Sequence, residues 1–237
     1  MGRVHFIGGE KGGVGKSLTS RLLAQYFVDH SMPFKGFDLD QSHATFSRFY
    51  GDFTSALKVD DFESLDDIIN YAEQNPSQEI IVDLAAQTSG RLGKWIIDSD
   101  VISSFDELGF QVFLWHVMDD GLDSIQLLEK LMDSYPQPDI QFIVVQNLGR
   151  GENFESFINS DTSNKALKRG ANFVSLDRLE PRLTQKIDYN NYSFWAAAND
   201  RQLMGFVERK RMKVWLNNNY AQLKSFLSPS ESAESGF

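Results

Sequence analysis

Short apolar runs alternate with helix-period patterns along this chain. The runs are Val4–Ile7, Phe34–Phe37, Ile80–Leu84, Phe110–Trp115, Ile140–Val145 and Phe173–Leu176. Each is nearly continuous, as expected of a strand buried on both faces. Between them, Leu18, Leu22, Leu23, Tyr26 and Phe27 recur at helical spacing, as do Leu122, Ile125, Leu128, Leu131 and Met132. Strands alternating with helices predict an α/β fold. The expected form is a doubly wound, mostly parallel sheet with right-handed crossovers and helices on both faces. In such sheets, ligands lie beyond the carboxyl ends of the strands.

The segment Leu203 to Leu227 predicts a long helix. Met212, Leu216, Tyr220, Leu223 and Leu227 form its buried side, widened by Trp215 and Phe226. Arg209, Lys210, Arg211 and Lys213 make a basic cluster one to two turns earlier. From Arg150 to Gly170 the chain is polar, with Phe154, Phe157, Ile158 and Leu167 as its few apolar anchors. A short surface helix pair is the plainest reading, and a mobile lid or docking insertion is the alternative. The Ser/Glu-rich stretch Ser228 to Phe237 is too polar to build a core and is expected to be disordered. Residues 1–227 are then expected to form a single domain.

Composition narrows the function. At 237 residues the chain suits one α/β domain, large enough to bury roughly 70–75% of its unfolded surface. It contains no cysteine, which excludes disulfide frameworks, zinc knuckles and iron–sulfur ligation. No stretch is apolar enough to span a bilayer, and no secretory signal pattern opens the chain. Cytoplasm is the expected compartment. Against 23 basic residues stand 33 acidic ones, a net charge of −10. That balance argues against a uniformly basic nucleic-acid binder but leaves room for a local basic patch.

The chemistry concentrates in Gly8-Gly9-Glu10-Lys11-Gly12-Gly13-Val14-Gly15-Lys16-Ser17. A triphosphate needs a loop that wraps it with backbone N–H groups, and glycine lets the chain approach that closely. The loop leaves an apolar strand and opens a helix, whose N-terminus favours negative charge. Lys16 is placed to reach the β/γ-phosphates, and the Ser17 hydroxyl to ligate Mg²⁺. Gly12, Gly13, Val14, Gly15 and Leu18 complete the expected nucleotide contacts. The strict phosphate-loop pattern asks for glycine six residues before the lysine, where this chain has Glu10.

That departure is informative. Lys11-Gly12-Gly13-Val14-Gly15-Lys16-Ser17 resembles the deviant phosphate loop of the ParA/MinD family of partitioning and positioning ATPases. The resemblance implies that Lys11 crosses a dimer interface to the nucleotide of the partner subunit. It also implies that position 10 tolerates residues other than glycine, with Glu10 facing solvent or the partner chain.

Two further segments are expected to serve the metal. In Gly36-Phe37-Asp38-Leu39-Asp40-Gln41, period-two spacing sets Asp38 and Asp40 on one side of an extended chain. By the family resemblance, the second aspartate is tied to hydrolysis. Asp40 would then position the metal shell or attacking water, with Asp38 supporting the strand end. The following Ala44-Thr45-Phe46 is similar to a branch found with plasmid mobilisation and conjugative transfer. His43 is expected to be a solvated residue at a helix start. In Glu79-Ile80-Ile81-Val82-Asp83 an aspartate ends a hydrophobic strand, the Walker B arrangement, so Asp83 is a candidate Mg²⁺ residue. Gln87 is a candidate second-switch residue.

Base selection favours ATP over GTP. After Ile140–Val145 comes Gln146-Asn147-Leu148-Gly149, without the lysine and aspartate of a guanine-reading run. The resemblance places Asn147 against adenine and Leu179–Arg182 beside the base. The four histidines show no metal-ligand spacing, and no nucleophile–base arrangement stands out. Asp119-Asp120 is expected to cap the helix that follows.

The expectation is an ATP·Mg²⁺-dependent homodimerising ATPase, slow until a partner protein stimulates it. Lys11, Lys16 and Asp40 would carry catalysis, and Ser17, Asp40 and Asp83 would hold the metal. Plasmid partition or conjugative DNA transfer is the expected setting, with non-specific DNA contact through Arg209, Lys210, Arg211 and Lys213. Two alternatives stand beside it: a positioning ATPase for a protein cargo, and an ATP-dependent metabolic ligase of the same superfamily. Membrane insertion is not expected, since the acidic Ser/Glu segment follows the last helix.

Overall fold

A computed structural model describes residues 1–41 and 43–227; the expected disorder of Ser228 to Phe237 lies outside the described residues. Seven strands form one sheet: β1 (Gly2–Gly8), β2 (Phe34–Asp38), β3 (Thr54–Ala56), β4 (Glu79–Asp83), β5 (Phe110–Met118), β6 (Gln141–Asn147) and β7 (Asn172–Leu176). Their spatial order is β3-β2-β4-β1-β5-β6-β7, and every neighbouring pair is parallel. Eleven helices connect and cover them: α1 (Lys16–Asp29), α2 (Thr45–Tyr50), α3 (Phe62–Gln74), α4 (Ser89–Asp98), α5 (Val101–Glu107), α6 (Leu122–Ser134), α7 (Glu155–Ile158), α8 (Asp161–Lys168), α9 (Pro181–Asn190), α10 (Phe194–Asn199) and α11 (Phe206–Leu227).

Strand residues alternate between two cores, one on each face. Ile7, Ile81, Phe113, Trp115, Ile143 and Val145 face one side and pack with α1, α2 and α9–α11. Val4, Phe6, Ile80, Val82, Leu114 and Val144 face the other, against α3–α8. Burial on both sides is why these strands read as unbroken apolar runs. The fold is the doubly wound α/β arrangement that the alternation of elements predicts.

Three details differ from the sequence reading. β3 was not anticipated, because Thr54–Ala56 is short, lies at the sheet edge and has no apolar run. β5 continues past Trp115 to Met118, through a His116 that is only 3% exposed. The long helix starts at Phe206 rather than Leu203. Between Arg150 and Gly170 stand the short helices α7 and α8. Phe154 and Phe157 anchor them in the core, whereas Ile158 and Leu167 are exposed.

The sheet register sets the site. Asp38 pairs with Asp83 across β2 and β4, and Asp83 pairs with Ile7 across β4 and β1. The carboxyl ends of three adjacent strands therefore form one row. The loop Gly8–Gly15 leaves the last of them at the point where the chain's strand order reverses.

At the opposite end of the strands, Arg3 ties the last helix to the sheet. Its Nε donates to Glu79 Oε1 at 2.8 Å, and its Nη1 donates to the Leu227 carbonyl at 2.9 Å. Glu79 also accepts from His5 Nε2 at 3.0 Å, and Trp115 Nε1 donates to His5 Nδ1 at 3.1 Å. Burial lowers the His5 pKa, so the neutral ring passes one hydrogen bond onward from tryptophan to carboxylate.

Candidate functional site

The loop between β1 and α1 is built by its backbone. Gly9 has φ +144°, and a Cβ there would meet the Val117 carbonyl oxygen at 2.6 Å. Gly15 has φ +107° and caps α1 without any side-chain hydrogen bond. No acidic side chain occupies the first turn of α1 either. The amides of this 14-residue helix N-terminus are thus met by neither a capping side chain nor an acidic first-turn residue. Gly12 and Gly13 carry nothing within 4 Å of a would-be Cβ, so the outer loop is open to a ligand.

Lys16 is 8% exposed. Its Nζ donates to the carbonyls of Gly9 at 2.8 Å and Lys11 at 3.2 Å, two uncharged acceptors. Burial lowers its pKa, while Asp83, Glu10 and Asp40 act in the opposite direction. A buried ammonium at a helix N-terminus, aimed along the loop, is suited to a polyanion.

Asp83 is fully buried at the end of β4. Its Oδ1 accepts from Ser20 Oγ at 2.9 Å, and the Ser17 hydroxyl also faces the carboxyl group. Among the described residues its Oδ2 has no hydrogen-bond partner. Burial pushes this carboxyl up to about 7, with nearby Asp38 adding to the rise and Ser17, Ser20 and Lys16 opposing it. An unpartnered buried carboxylate oxygen beside a hydroxyl fits a divalent cation that keeps most of its waters. Ser17 and Asp83 are therefore brought together, an arrangement whose donor set suits a divalent metal. Ser20, one turn beyond Ser17 on α1, is the residue that sequence reading missed here; its spacing of three from Ser17 was the available signal.

Asp38 and Asp40 hold different partners. β2 ends at Asp38, so strand alternation stops before Asp40. Asp38 Oδ1 accepts the Asp40 amide at 3.0 Å, and its Oδ2 accepts the Ser47 amide at 2.8 Å, which ties the strand end to α2. Asp40 Oδ1 accepts the His43 amide at 3.2 Å, and Oδ2 lies 3.4 Å from His43 Nδ1. The His43 ring is exposed. Among the described residues no group of three or more His, Asp or Glu side chains converges on one point.

Lys11 extends sideways rather than toward Lys16. Its Nζ lies 2.7 Å from Asp119 Oδ2. The hydrogen bond from this ammonium helps hold the Asp119 pKa down against a smaller solvation than water would give. Asp119 Oδ1 also accepts the Gly121 amide at 3.1 Å and the Ser124 hydroxyl at 2.6 Å, bracing the start of α6. Asp120 Oδ2 accepts the amides of Glu152 and Asn153, at 2.9 and 3.2 Å, and so joins the β5–α6 and β6–α7 loops.

Asn147, at the end of β6, is 1% exposed. Its Nδ2 donates to the Val14 carbonyl at 2.7 Å, and its Oδ1 accepts the Gly149 amide at 2.9 Å. A Cβ on Gly15 would stand 2.2 Å from that Nδ2. The structure thus places Asn147 on the phosphate loop. Leu18 is half-buried and packs its side chain into the core beneath α1, leaving its amide at the helix start. Gln87 is exposed with φ +61°, on the loop that leads from Asp83 into α4. Leu179 is buried, and Glu180 caps α9 through the amides of Arg182 and Leu183. On α11, Lys210, Arg211 and Lys213 are exposed, whereas Arg209 Nη1 donates to the Met204 carbonyl. Among the described residues no helix is long and apolar enough to cross a membrane.

The loop, the strand-end aspartate and the sheet order together give a doubly wound P-loop fold like that of MinD. The comparison with solved structures agrees. The septum site-determining protein MinD of Pyrococcus horikoshii OT3, complexed with Mg-ADP, superposes with a TM-score of 0.54 at 14% identity, over 94% of this chain and 97% of that one. In sequence, the chain is 22% identical over 212 residues to the protein MobD of Acidithiobacillus ferrooxidans, covering 89% of this chain and 92% of its relative. It is 24% identical over 245 residues to an Escherichia coli protein TraL, covering 94% and 98%. No family model matches the chain.

Proposed function

We propose that this chain is an ATP-dependent, dimerising P-loop ATPase that acts as a molecular switch in conjugative DNA transfer or plasmid partition. The observation that carries the reading is the combined geometry of Lys16 and Asp83. A buried ammonium lies at an uncapped helix N-terminus, and a buried carboxylate oxygen without a partner lies beside the Ser17 hydroxyl. Full-length alignment with MobD and TraL supports the mobilisation and transfer setting over a metabolic ligase.

In phosphoryl transfer the protein mainly positions groups and balances charge. Loop amides from Gly12 to Leu18 and the Lys16 ammonium would hold the triphosphate. Ser17 and Asp83 would hold Mg²⁺, with Asp40 at the edge of the site ordering water. The chemistry such an ion would supply there is neutralisation of phosphate charge. Lys11 would leave Asp119 and reach the nucleotide of a second copy. The pair is part-exposed, with side chains 36% and 17% accessible, so a polyphosphate can compete for the ammonium. Asn147 would keep the loop in its nucleotide-ready shape. The exposed cations Lys210, Arg211 and Lys213 supply a phosphate-backbone contact whose strength falls with salt. The pace of hydrolysis would be set by a partner protein.

The test is the mass of the Asp40→Ala protein in light scattering. With ATP and Mg²⁺ the mass is expected to double, and with ADP it is expected to stay that of one chain. A protein that remains single when saturated with ATP and Mg²⁺ overturns the switch reading. Turnover stimulated by a small carboxylic substrate, but not by DNA or a partner protein, would favour the ligase.

A further inference from the structure

A second cavity, of about 500 Å³, lies on the sheet face between α4 and α6. Its floor is formed by Phe6, Leu114 and His116 of β1 and β5. Leu92 and Ile96 of α4 form one wall, and Leu127 and Leu131 of α6 form the other. At one end it reaches Gly8, Gly9 and Glu10, where the phosphate loop begins. Exposed Lys94, Lys130 and Asp98 lie at the rim.

The space is a cleft open at its rim, with room for on the order of 15 waters at about 30 Å³ each. Water is a poor occupant, because a mostly aliphatic lining offers it few partners. Ligand pockets, by contrast, are mainly apolar and carry a few placed polar groups.

One such group is present. The hydroxyl of Tyr135, which follows α6, makes no hydrogen bond among the described residues, and the ring lines the cavity half-buried. Burial raises its pKa, so it stays a protonated donor. His116 is not available in the same way, since its Nε2 is 2.9 Å from the Ser124 carbonyl. Among the described residues neither Lys94 nor Lys130, exposed at the rim, is ion-paired, and the two carboxylates of the lining are Asp98 at the rim and Glu10 at the loop end.

We infer that this cavity binds a small amphiphile: an apolar body of medium acyl-chain or fused-ring size, with one anionic end. The apolar part lies between the leucines of α4 and α6. The anion takes the Tyr135 hydroxyl and the rim lysines. α4 follows directly from the loop after Asp83, and the floor continues into Gly8 and Gly9. An occupant therefore touches both segments that frame the nucleotide site. Binding itself does not depend on the ATPase reading; only the coupling to nucleotide does.

Gly93 gives the means to test it. A Cβ there would stand 3.6 Å from the Tyr135 hydroxyl, an ordinary contact, and the residue is helical without a positive φ. Gly93→Ala is thus tolerated, while Gly93→Leu projects a side chain into the space. The full chain is titrated with decanoate by calorimetry without nucleotide, and with 1-anilinonaphthalene-8-sulfonate by fluorescence. The expected result is one saturable site, with each probe displacing the other. Gly93→Leu is expected to weaken both by on the order of tenfold or more, with a melting curve no lower than wild type. Lys94→Ala/Lys130→Ala is expected to weaken decanoate but not decanol. Binding that does not saturate, or Gly93→Leu binding equal to wild type, overturns the proposal. A third measurement is the ATPase rate with saturating decanoate. Because the titrations contain no nucleotide, loss of the ATPase reading would leave their result standing.

Discussion

The Lys11 ammonium rests 2.7 Å from a carboxylate oxygen of Asp119, more than a hundred residues away in the chain. This contact occupies, within one chain, the side chain that would act across a dimer. Replacing Lys11 by Ala is expected to abolish ATP-dependent dimerisation while leaving ATP affinity of the single chain within about threefold of wild type. Asp119→Asn is expected to shift the dimer midpoint to lower ATP concentration. Sedimentation across an ATP titration measures both. Unchanged dimerisation and turnover in Lys11→Ala would remove the main support for the switch.

Lys16 is the opposite case, since its ammonium is buried within the loop. Lys16→Ala is expected to cost on the order of 100-fold or more in nucleotide affinity. Fluorescent ATP binding, with circular dichroism to verify the fold, measures it.

Asp83 links metal binding to pH. Its pKa in the folded chain, about 7, is raised above the ordinary 3.8 of the unfolded chain. Between those values the folded state holds a proton that the unfolded state has lost. The metal-free protein therefore loses stability from this group as pH rises from about 4 to about 7. Mg²⁺ needs the ionised form, so its affinity is expected to fall below pH 7. Asp83→Asn keeps the acceptor for Ser20 and removes the buried charge. At pH 8 without metal it is expected to be more stable by about 2 kcal/mol, yet to lose Mg²⁺-dependent stabilisation by ATP. Thermal melts at pH 5, 7 and 8, with and without Mg·ATP, test both signs.

Asn147 separates two roles. Held by Val14 and Gly149, its amide supports the loop backbone, and Asn147→Ala is expected to cost about 2–4 kcal/mol of stability. If it acts through the loop, ATP and GTP affinities fall by the same factor. If it reads adenine, ATP suffers more and the preference for ATP shrinks. Paired titrations of the variant decide between them.

Arg3 is expected to matter only for stability. Arg3→Ala leaves Glu79, 5% exposed, with His5 as its remaining side-chain partner and frees the last turn of α11. A loss of about 2–4 kcal/mol is expected, with nucleotide affinity unchanged. Adding Glu79→Gln should recover part of it, because the stranded charge is removed. Urea melts of the single and double variants provide the check.

Much of the fold was legible because parallel strands are buried on both faces. Val4–Ile7 and Ile140–Val145 announce themselves as apolar runs for that reason. His116 hid the end of β5, since a buried histidine reads as polar in sequence. Thr54–Ala56 offered no pattern at all, being three small residues at an edge. In the site, the loop and Asp83 were legible because backbone chemistry demands those residue types at those places. The Asp40 geometry was not, because alternation holds only while the strand lasts, and β2 ends at Asp38. Neither the Lys11–Asp119 contact nor the Asn147–Val14 contact leaves a local trace. Each joins segments that only the sheet order brings together.

Strand β1 lies between β4 and β5, and its first residues pair with Glu79 and Phe110. During synthesis it lacks β4 until the chain reaches Asp83, and lacks β5 until the chain reaches Met118. At about 5–20 residues per second the second delay is roughly 6–22 s. Strand β1 is thus made before either of its partners and completes its pairing only after both. The loop after β1 is completed later still, when the end of β6 supplies the Asn147 amide that holds the Val14 carbonyl.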